Sequence, residues 1–245
     1  MTAPELARRS ALVVGMGGLG CPAALALCRA GFGKVVLLDE DEVDETNLHR
    51  QILYAEAQIG MPKLEAARSS LLADGAREDQ LRCLEGRLLP HTARQYVADV
   101  DVVVEGTDNY ATKFLTADAC YLERTHVVHG AALGWRATAM AVSAEGAPCY
   151  RCLFEDIPEG PDQPTCASGG VMGPVVGFAG AVLAELAIRL VSGARAAGSV
   201  VSYDGRTDQL RVRDVGPRSS CALCGTAPTI RDTPDARYTG AICAT

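Results

Sequence analysis

A chain of 245 residues, 48% hydrophobic and 22% charged, is long enough and apolar enough to bury a sizeable core, and this composition excludes disorder for the bulk of it. A net charge of −7, with no basic run longer than Arg8-Arg9, argues against a nucleic-acid partner, because phosphate binding needs a face rich in lysine and arginine. The longest uncharged apolar stretch, residues 171–184, is broken by Gly173, Pro174, Gly177 and Gly180 and is too short for a bilayer span, so a buried helix and no membrane contact are expected; the short polar start before Ala11 does not read as a secretory signal, which points to the cytoplasm.

In chain order, β-type and helical runs alternate as a parallel sheet requires. Residues 11–15 read as a strand, 19–30 as a helix, 34–39 as a strand, 63–73 as a helix, 82–86 as a strand and 93–98 as a short helix. Then follow a strand at 101–105, a helix at 110–123 and a strand at 126–129. Beyond Ala131 the pattern changes: 135–143 and 199–215 look antiparallel, the latter a hairpin around Asp204-Gly205, with a helix at 171–191 between them. The fold class expected is α/β, a Rossmann-like doubly wound sheet, mainly parallel with antiparallel strands in the C-terminal part. The Pro/Gly-rich loop 155–164 and the tail after Gly216 read as flexible.

Gly15, Gly17 and Gly20 supply G-x-G-x-x-G between a strand and a helix, where missing side chains let backbone and helix N-terminus approach phosphates. Asp39 closes the second strand, where a carboxylate can bond a ribose. To this point NAD, FAD and ATP fit equally. The stretch "DEDEVDETNLHRQ" then brings Asn47 and Arg50, an amide and a guanidinium fork that suit phosphates better than a nicotinamide. "GMPK" sets Lys63 at a helix start behind Pro62, from which a lysine can swing over the same nucleotide. In "EGTDN", Asp108 sits past the carboxyl end of a strand, where open α/β sheets place their chemistry, and a carboxylate beside phosphates suits Mg2+; Asp108-Asn109 also reads as a helix N-cap.

The stretches "GMGGLG", "LLDEDEVDETNLHRQ", "GMPK", "EGTDN", "CYRC", "TCASGGVMGP" and "CALCG", in this order, resemble the ThiF/MoeB/HesA family, bacterial relatives of ubiquitin-activating enzymes, from Ala11 to about Gly225. The resemblance implies an adenylyltransferase that uses MgATP to activate the C-terminal Gly-Gly of a ubiquitin-like sulfur carrier and releases pyrophosphate, with a homodimer and a sulfurtransferase as further partners. It implies that Gly18 and its neighbours face the nucleotide, Asp39 the ribose, Asn47, Arg50 and Lys63 the triphosphate, and Asp108 the Mg2+, with Asp41 and Asn109 as further nucleotide-binding candidates. Domain organisation follows: an adenylation domain over 1–225, its nucleotide half at about 11–130 and its carrier and dimer half at about 131–225, then a tail at 226–245.

Cys149-x-x-Cys152 and Cys221-x-x-Cys224 form two knuckles, the donor set of a tetrahedral structural Zn2+. By the resemblance, Cys166 occupies the place of the cysteine that in some members takes the activated carboxylate or a sulfur atom, with a plain structural role as the alternative. Cys21, Cys28, Cys83 and Cys120 read as small core residues, and His49, His91, His126 and His129 as structural histidines. Relatives carry a longer segment before the first strand, with an arginine that reaches the partner subunit's nucleotide; here Arg8 or Arg9 takes that place, the arginine is missing, or the true start lies upstream. The alternatives to a carrier adenylyltransferase are an impaired scaffold that binds the carrier, an adenylyltransferase for another carboxylate, and an NAD-dependent oxidoreductase.

Overall fold

The computed structural model describes residues 3–158 and 170–238. A short helix α1 (Ala3–Leu6) leads into β1 (Ser10–Val14), α2 (Gly20–Ala30), β2 (Lys34–Asp39), α3 (Lys63–Ala73), β3 (Leu81–Glu85), α4 (Pro90–Ala98), β4 (Val102–Glu105), α5 (Tyr110–Glu123) and β5 (His126–Leu133). There follow β6 (Arg136–Val142), α6 (Tyr150–Leu153), α7 (Gly173–Val191), β7 (Ser199–Asp204) and β8 (Gln209–Asp214). All eight strands form one sheet in the order β3-β2-β1-β4-β5-β6-β7-β8. The pairings from β3 to β5 are parallel and those from β5 to β8 antiparallel, the doubly wound architecture expected from the alternation of patterns.

The central strands are mostly apolar because both faces are covered, with Glu105 and His129 as buried exceptions at the carboxyl end of β4 and within β5. Ala11, Val13, Val35 and Leu37 enter a core shared with α2, α3 and α7, whereas Leu12, Val14, Val36 and Leu38 face α4 and α5 on the other side. By length and composition α7 could cross a membrane, but it packs on α2 and on β4 to β6, and Leu183 and Leu186 are fully buried. It is a core helix.

Three boundaries depart from the sequence expectation. Helix α4 starts earlier, at Pro90, because a first-turn proline needs no intrahelical donor. Strand β5 runs four residues past His129, since its far half pairs with β6 after its parallel neighbour has ended. Helix α7 starts at Gly173 because Val171 forms a bridge with Gly134 instead. The tail is the larger difference: Cys221, Leu223, Ile230 and Tyr238 are buried against the α4/α5 side, and the Tyr238 hydroxyl donates to Asp118 Oδ2 at 2.7 Å. Its apolar residues are too widely spaced to show a period, so the docking is invisible until the surface it covers has formed.

Two glycines of the β1–α2 turn have different reasons to be there. Gly15 has φ +86°, the left-handed region that a side chain disfavours. At Gly20 a Cβ would overlap the Gly15 carbonyl oxygen, so the helix can start against the turn only without a side chain. Gly20→Ala should therefore lower stability by about 3 kcal/mol, the upper range for overpacking a rigid backbone contact. Urea denaturation checks this, and an unchanged midpoint would show that the turn yields.

Candidate active site

The strand order reverses between β1 and β4, and at such a switch point the loops leaving the two strands diverge and open a crevice at their carboxyl ends. A cleft of about 590 Å³ lies there, a size suited to a nucleotide. It is lined by Gly15, Gly17 and Gly18 after β1, by Asp39 and Asp41 after β2, and by Asp108 after β4. Asn47, Arg50 and Lys63 close it from one side. Gly20 and Asn109 do not line it: Gly20 packs against Gly15, and the Asn109 side chain caps α5 by accepting from the Thr112 N–H at 3.0 Å. Of the two readings for Asp108-Asn109, the cap belongs to Asn109 and the free carboxylate to Asp108.

The glycine turn is held by three side chains. Asp39 Oδ2 accepts from the Met16 N–H at 2.6 Å, while the Tyr54 hydroxyl and the Cys21 thiol both donate to the Met16 carbonyl, at 2.8 and 3.3 Å. The other Asp39 oxygen accepts from the Asp41 N–H at 2.8 Å. A carboxylate has about four acceptor directions, so Asp39 retains capacity for a ribose hydroxyl.

Lys63 is the first residue of α3, buried to the tip, with Nζ 2.7 Å from Asp41 Oδ2 and 3.9 Å from Asp39 Oδ1. Asp41 is mostly exposed, so the pair joins a solvent-facing carboxylate to a buried cation. Arg50 bonds Asn47 Oδ1, the Thr46 carbonyl at 3.4 Å and His49 Nε2 at 3.3 Å. Among the described residues no carboxylate forms an ion pair with it, which leaves its fork available to an anion. Asp108 is exposed and has no hydrogen bond or ion pair among the described residues. A free carboxylate that lines the same nucleotide-sized cleft as two cations has the chemistry to hold Mg2+ on a triphosphate.

Four contributors escaped the sequence reading. Gln51 lines the cleft, is buried, and has an Oε1 with no partner among the described residues. Glu105 is wholly buried at the end of β4, with Lys113 Nζ at 2.8 Å and His129 Nδ1 at 3.3 Å. Burial raises the Glu105 pKa, but the Lys113 charge and the His129 contact outweigh it and hold the carboxyl at about 2, while burial keeps His129 below the usual imidazole range. The signal was available in "VVVEGTDNYATK", where a carboxylate ends an apolar strand and a lysine falls on the helix face that meets the sheet.

The cysteine knuckles converge. The Sγ atoms of Cys149, Cys152, Cys221 and Cys224 all lie within 4.8 Å of one another, with Cys152–Cys224 at 3.3 Å, Cys149–Cys221 at 3.5 Å and Cys149–Cys152 at 3.9 Å. A tetrahedral zinc with bonds of about 2.3 Å separates its sulfurs by about 3.8 Å, so the cluster fits such an ion. Burial and the neighbouring thiols push Cys149 well above the usual thiol range and Cys224 to about 11, whereas at Cys221 burial is outweighed by hydrogen bonds from Cys224, Leu223 and Cys149, which bring the thiol down to about 7; a bound cation would favour the thiolate at Cys149 and Cys224. Arg151, inside the first knuckle, reaches from this lobe into the core and pairs with Asp118 at 2.7 and 2.9 Å.

Cys166 lies outside the described residues, as does Cys243. Cys21, Cys28 and Cys120 are buried, as expected, and Cys83 is half-buried. Arg9 pairs with Asp101 at 3.0 Å beside the amino end of β1, the opposite end of the sheet from the cleft of its own chain.

The chain is 39% identical over 229 residues to the adenylyltransferase and sulfurtransferase MOCS3 of Anopheles gambiae, covering 92% of this chain and 52% of that one. It is 40% identical over 235 residues to the protein of the same name from Drosophila ananassae, covering 94% and 52%. The chain thus spans about half the length of these relatives. Its fold is similar to that of E. coli MccB with MccA-N7isoASN, at a TM-score of 0.80 and 19% identity over 91% of this chain and 69% of that one. PaaA is similar at 0.70 and 16%, over 88% and 67%. Residues 3–224 match the ThiF family, and the chain belongs to it.

Proposed function

We propose that the chain is an ATP-dependent adenylyltransferase that activates the C-terminal glycine carboxylate of a ubiquitin-like sulfur carrier of the ThiS or MoaD type. The observation that carries this reading is the meeting of Arg50, Lys63 and Asp108 in one cleft at the switch point, in a member of the ThiF family. Similarity to proteins named adenylyltransferase and sulfurtransferase supports it.

In the reaction, an oxygen of the carrier carboxylate bonds the α-phosphorus of ATP as the bond to the bridging oxygen breaks. Pyrophosphate leaves, and the carrier ends in a mixed anhydride with AMP. No general base is required, because a chain-terminal carboxyl with a pKa of about 3.5 is ionised near neutral pH. The difficulty is electrostatic, an anion approaching an anion. Arg50 and Lys63 offset the charge that collects on the leaving pyrophosphate, and in the clamped glycine turn the N–H groups of Gly17 and Gly18 are offered without reorganisation, those of Gly15 and Met16 being bonded to Leu38 and Asp39. Mg2+, when bound, neutralises further phosphate charge, and Asp108 is the residue that holds it. Lys63 must exchange its partner Asp41 for phosphate, and Asp41 is exposed enough to move aside.

The test is exchange of labelled pyrophosphate into ATP in the presence of candidate carriers. Exchange dependent on a carrier ending in Gly-Gly is the expected result, and its absence with an intact fold favours a scaffold role. Nucleotide choice provides a second check. NAD+ has no γ-phosphate to meet Arg50 and Lys63, and two lost charge-assisted contacts at roughly 1.5–3 kcal/mol each predict binding weaker than that of ATP by about a hundredfold or more. Calorimetric titration showing tight NAD+ and no ATP would sink the reading.

We also propose a resident Zn2+ at the four cysteines and a two-fold dimer. Phe178 on α7 and Leu210 and Val212 on β8 are exposed apolar residues, which supports a paired surface. Light scattering should give twice the chain mass at micromolar concentration, whereas a monomer would contradict the dimer.

A further inference from the structure

Glu105 stands out because it does two jobs with two oxygens. Its Oε1 accepts from the Thr107 N–H at 2.8 Å and from the Thr107 hydroxyl at 2.6 Å. Its Oε2 accepts from Lys113 Nζ at 2.8 Å and lies 3.3 Å from His129 Nδ1. Lys113 also donates to the Gly130 carbonyl. One fully buried carboxylate therefore ties the residue before Asp108 to the first turns of α5 and to β5. The Asp108 side chain itself makes no bond to any described residue, so nothing but its backbone sets where its oxygens stand.

Backbone placement at this loop needs such a device. Gly106 brings the chain against Leu19 and Gly20, and the Gly15 turn lies across from Thr107, so the loop runs beside the glycine turn that faces the phosphates. A loop free to shift by an ångström would move the Asp108 carboxylate in or out of reach of a cation on those phosphates. A hydrophobic residue at 105 would suit the end of an apolar strand better by transfer energy alone. A buried ion pair is poor evidence for stability, which argues that this one is kept for what it positions.

We propose that Glu105 is a positioning residue that, through Thr107 and against the Lys113 charge, fixes the Asp108 carboxylate for the divalent cation of the nucleotide. The inference rests on the adenylyltransferase reading only in taking Asp108 as the cation ligand. Lys113 balances the buried charge and braces the carboxylate from the far side. His129 completes the cage: with its Nδ1 proton directed at Glu105, its ring packs at a 39° tilt on Tyr150 with centroids 4.3 Å apart, and Tyr150 lines the same cleft.

The measurement is Mn2+ affinity in the presence of ATP, read by the loss of the free-ion electron paramagnetic resonance signal, together with ATP affinity without divalent cation. Glu105→Gln should weaken Mn2+ by about threefold or more, less than the roughly tenfold cost of losing a partner that bonds a ligand directly, because Glu105 reaches Asp108 through Thr107. ATP affinity without metal should stay within about twofold, because Arg50 and Lys63 are untouched. Thr107→Val, which removes only the hydroxyl link, should give a smaller shift in the same direction. If Glu105→Gln fails to fold because Lys113 is left buried and unpaired, Glu105→Gln with Lys113→Met removes both charges and takes its place. Mn2+ affinity unchanged in the folded variants overturns the proposal, and so does a parallel loss of metal-free ATP binding, which would mark a general structural role. Asp108→Ala that leaves Mn2+ affinity intact overturns it too. If the unaltered protein binds Mn2+ with ATP yet exchanges no pyrophosphate with any carrier, the adenylyltransferase reading falls, while the Mn2+ comparison still decides Glu105.

Discussion

Asp108→Ala is expected to lower carrier-dependent pyrophosphate exchange by about a thousandfold, the upper range for removing one preorganised electrostatic group from a reaction of this kind. The carboxylate stands free past the end of β4 and lines the same cleft as Arg50 and Lys63, and replacing it removes the anion that would hold a cation over the phosphates. The fold should not notice. Asp108 is exposed and bonds no described residue, so the melting temperature and zinc content should match those of the unaltered protein. Asp108→Asn should recover part of the loss, since the amide oxygen still ligates but brings no charge. The contrast is with Cys166→Ala, which should leave exchange nearly intact while removing any reducible adduct between carrier and enzyme, because forming the anhydride uses no thiol. Normal exchange by Asp108→Ala would undo the assignment of the whole site.

The second large effect belongs to the cysteine cluster. The purified protein should carry close to one Zn2+ per chain, and Cys149→Ser or Cys224→Ser should release it. Because the unfolded chain has no such site, metal binding is folding free energy, about 10 kcal/mol or more for a four-ligand zinc centre. Even a modest share of that is comparable to the whole stability of a domain, so these variants should be insoluble or molten at 37 °C. The loss should spread, since Cys149 and Cys221 are buried in the same core as Phe114 and Leu115, and Arg151 reaches Asp118 from within the first knuckle. Mass-spectrometric metal analysis of fresh, unchelated protein is the check, and a metal-free, fully stable protein would refute the zinc site. Cys83→Ser, at a half-buried thiol outside the cluster, is the control.

What the linear order of residues determined was whatever depends on neighbours close in the chain. Alternation of apolar runs and helical periods is local, so the parallel sheet, the β7–β8 hairpin and most element boundaries were legible in it. So were the residues whose chemistry announces itself in a short stretch: the glycine turn, Asp39, Asn47-x-x-Arg50, Lys63, Asp108 and the two cysteine knuckles. Even there, the pairing of Cys149-x-x-Cys152 with Cys221-x-x-Cys224 was an argument from donor number, because about seventy residues separate them.

Only the tertiary structure decided what depends on who meets whom across the sheet. Gly20 and Asn109 belong to strings of which other members line the cleft, yet one serves packing and the other a helix cap, since a residue's direction is set by the backbone at its own position. Tyr54 reaches back to Met16 from a loop 38 residues away, and Tyr238 reaches Asp118 across 120. In the Glu105–Lys113–His129 group, the charge pair left a trace in "VVVEGTDNYATK", but its joining with His129 did not, for the same reason. Each member looks ordinary in its own element, a strand end, a helix residue and a strand histidine, and they become a group only when β4, α5 and β5 pack together. Burial then makes the grouping matter, because a carboxylate taken out of water must find its partners within the fold.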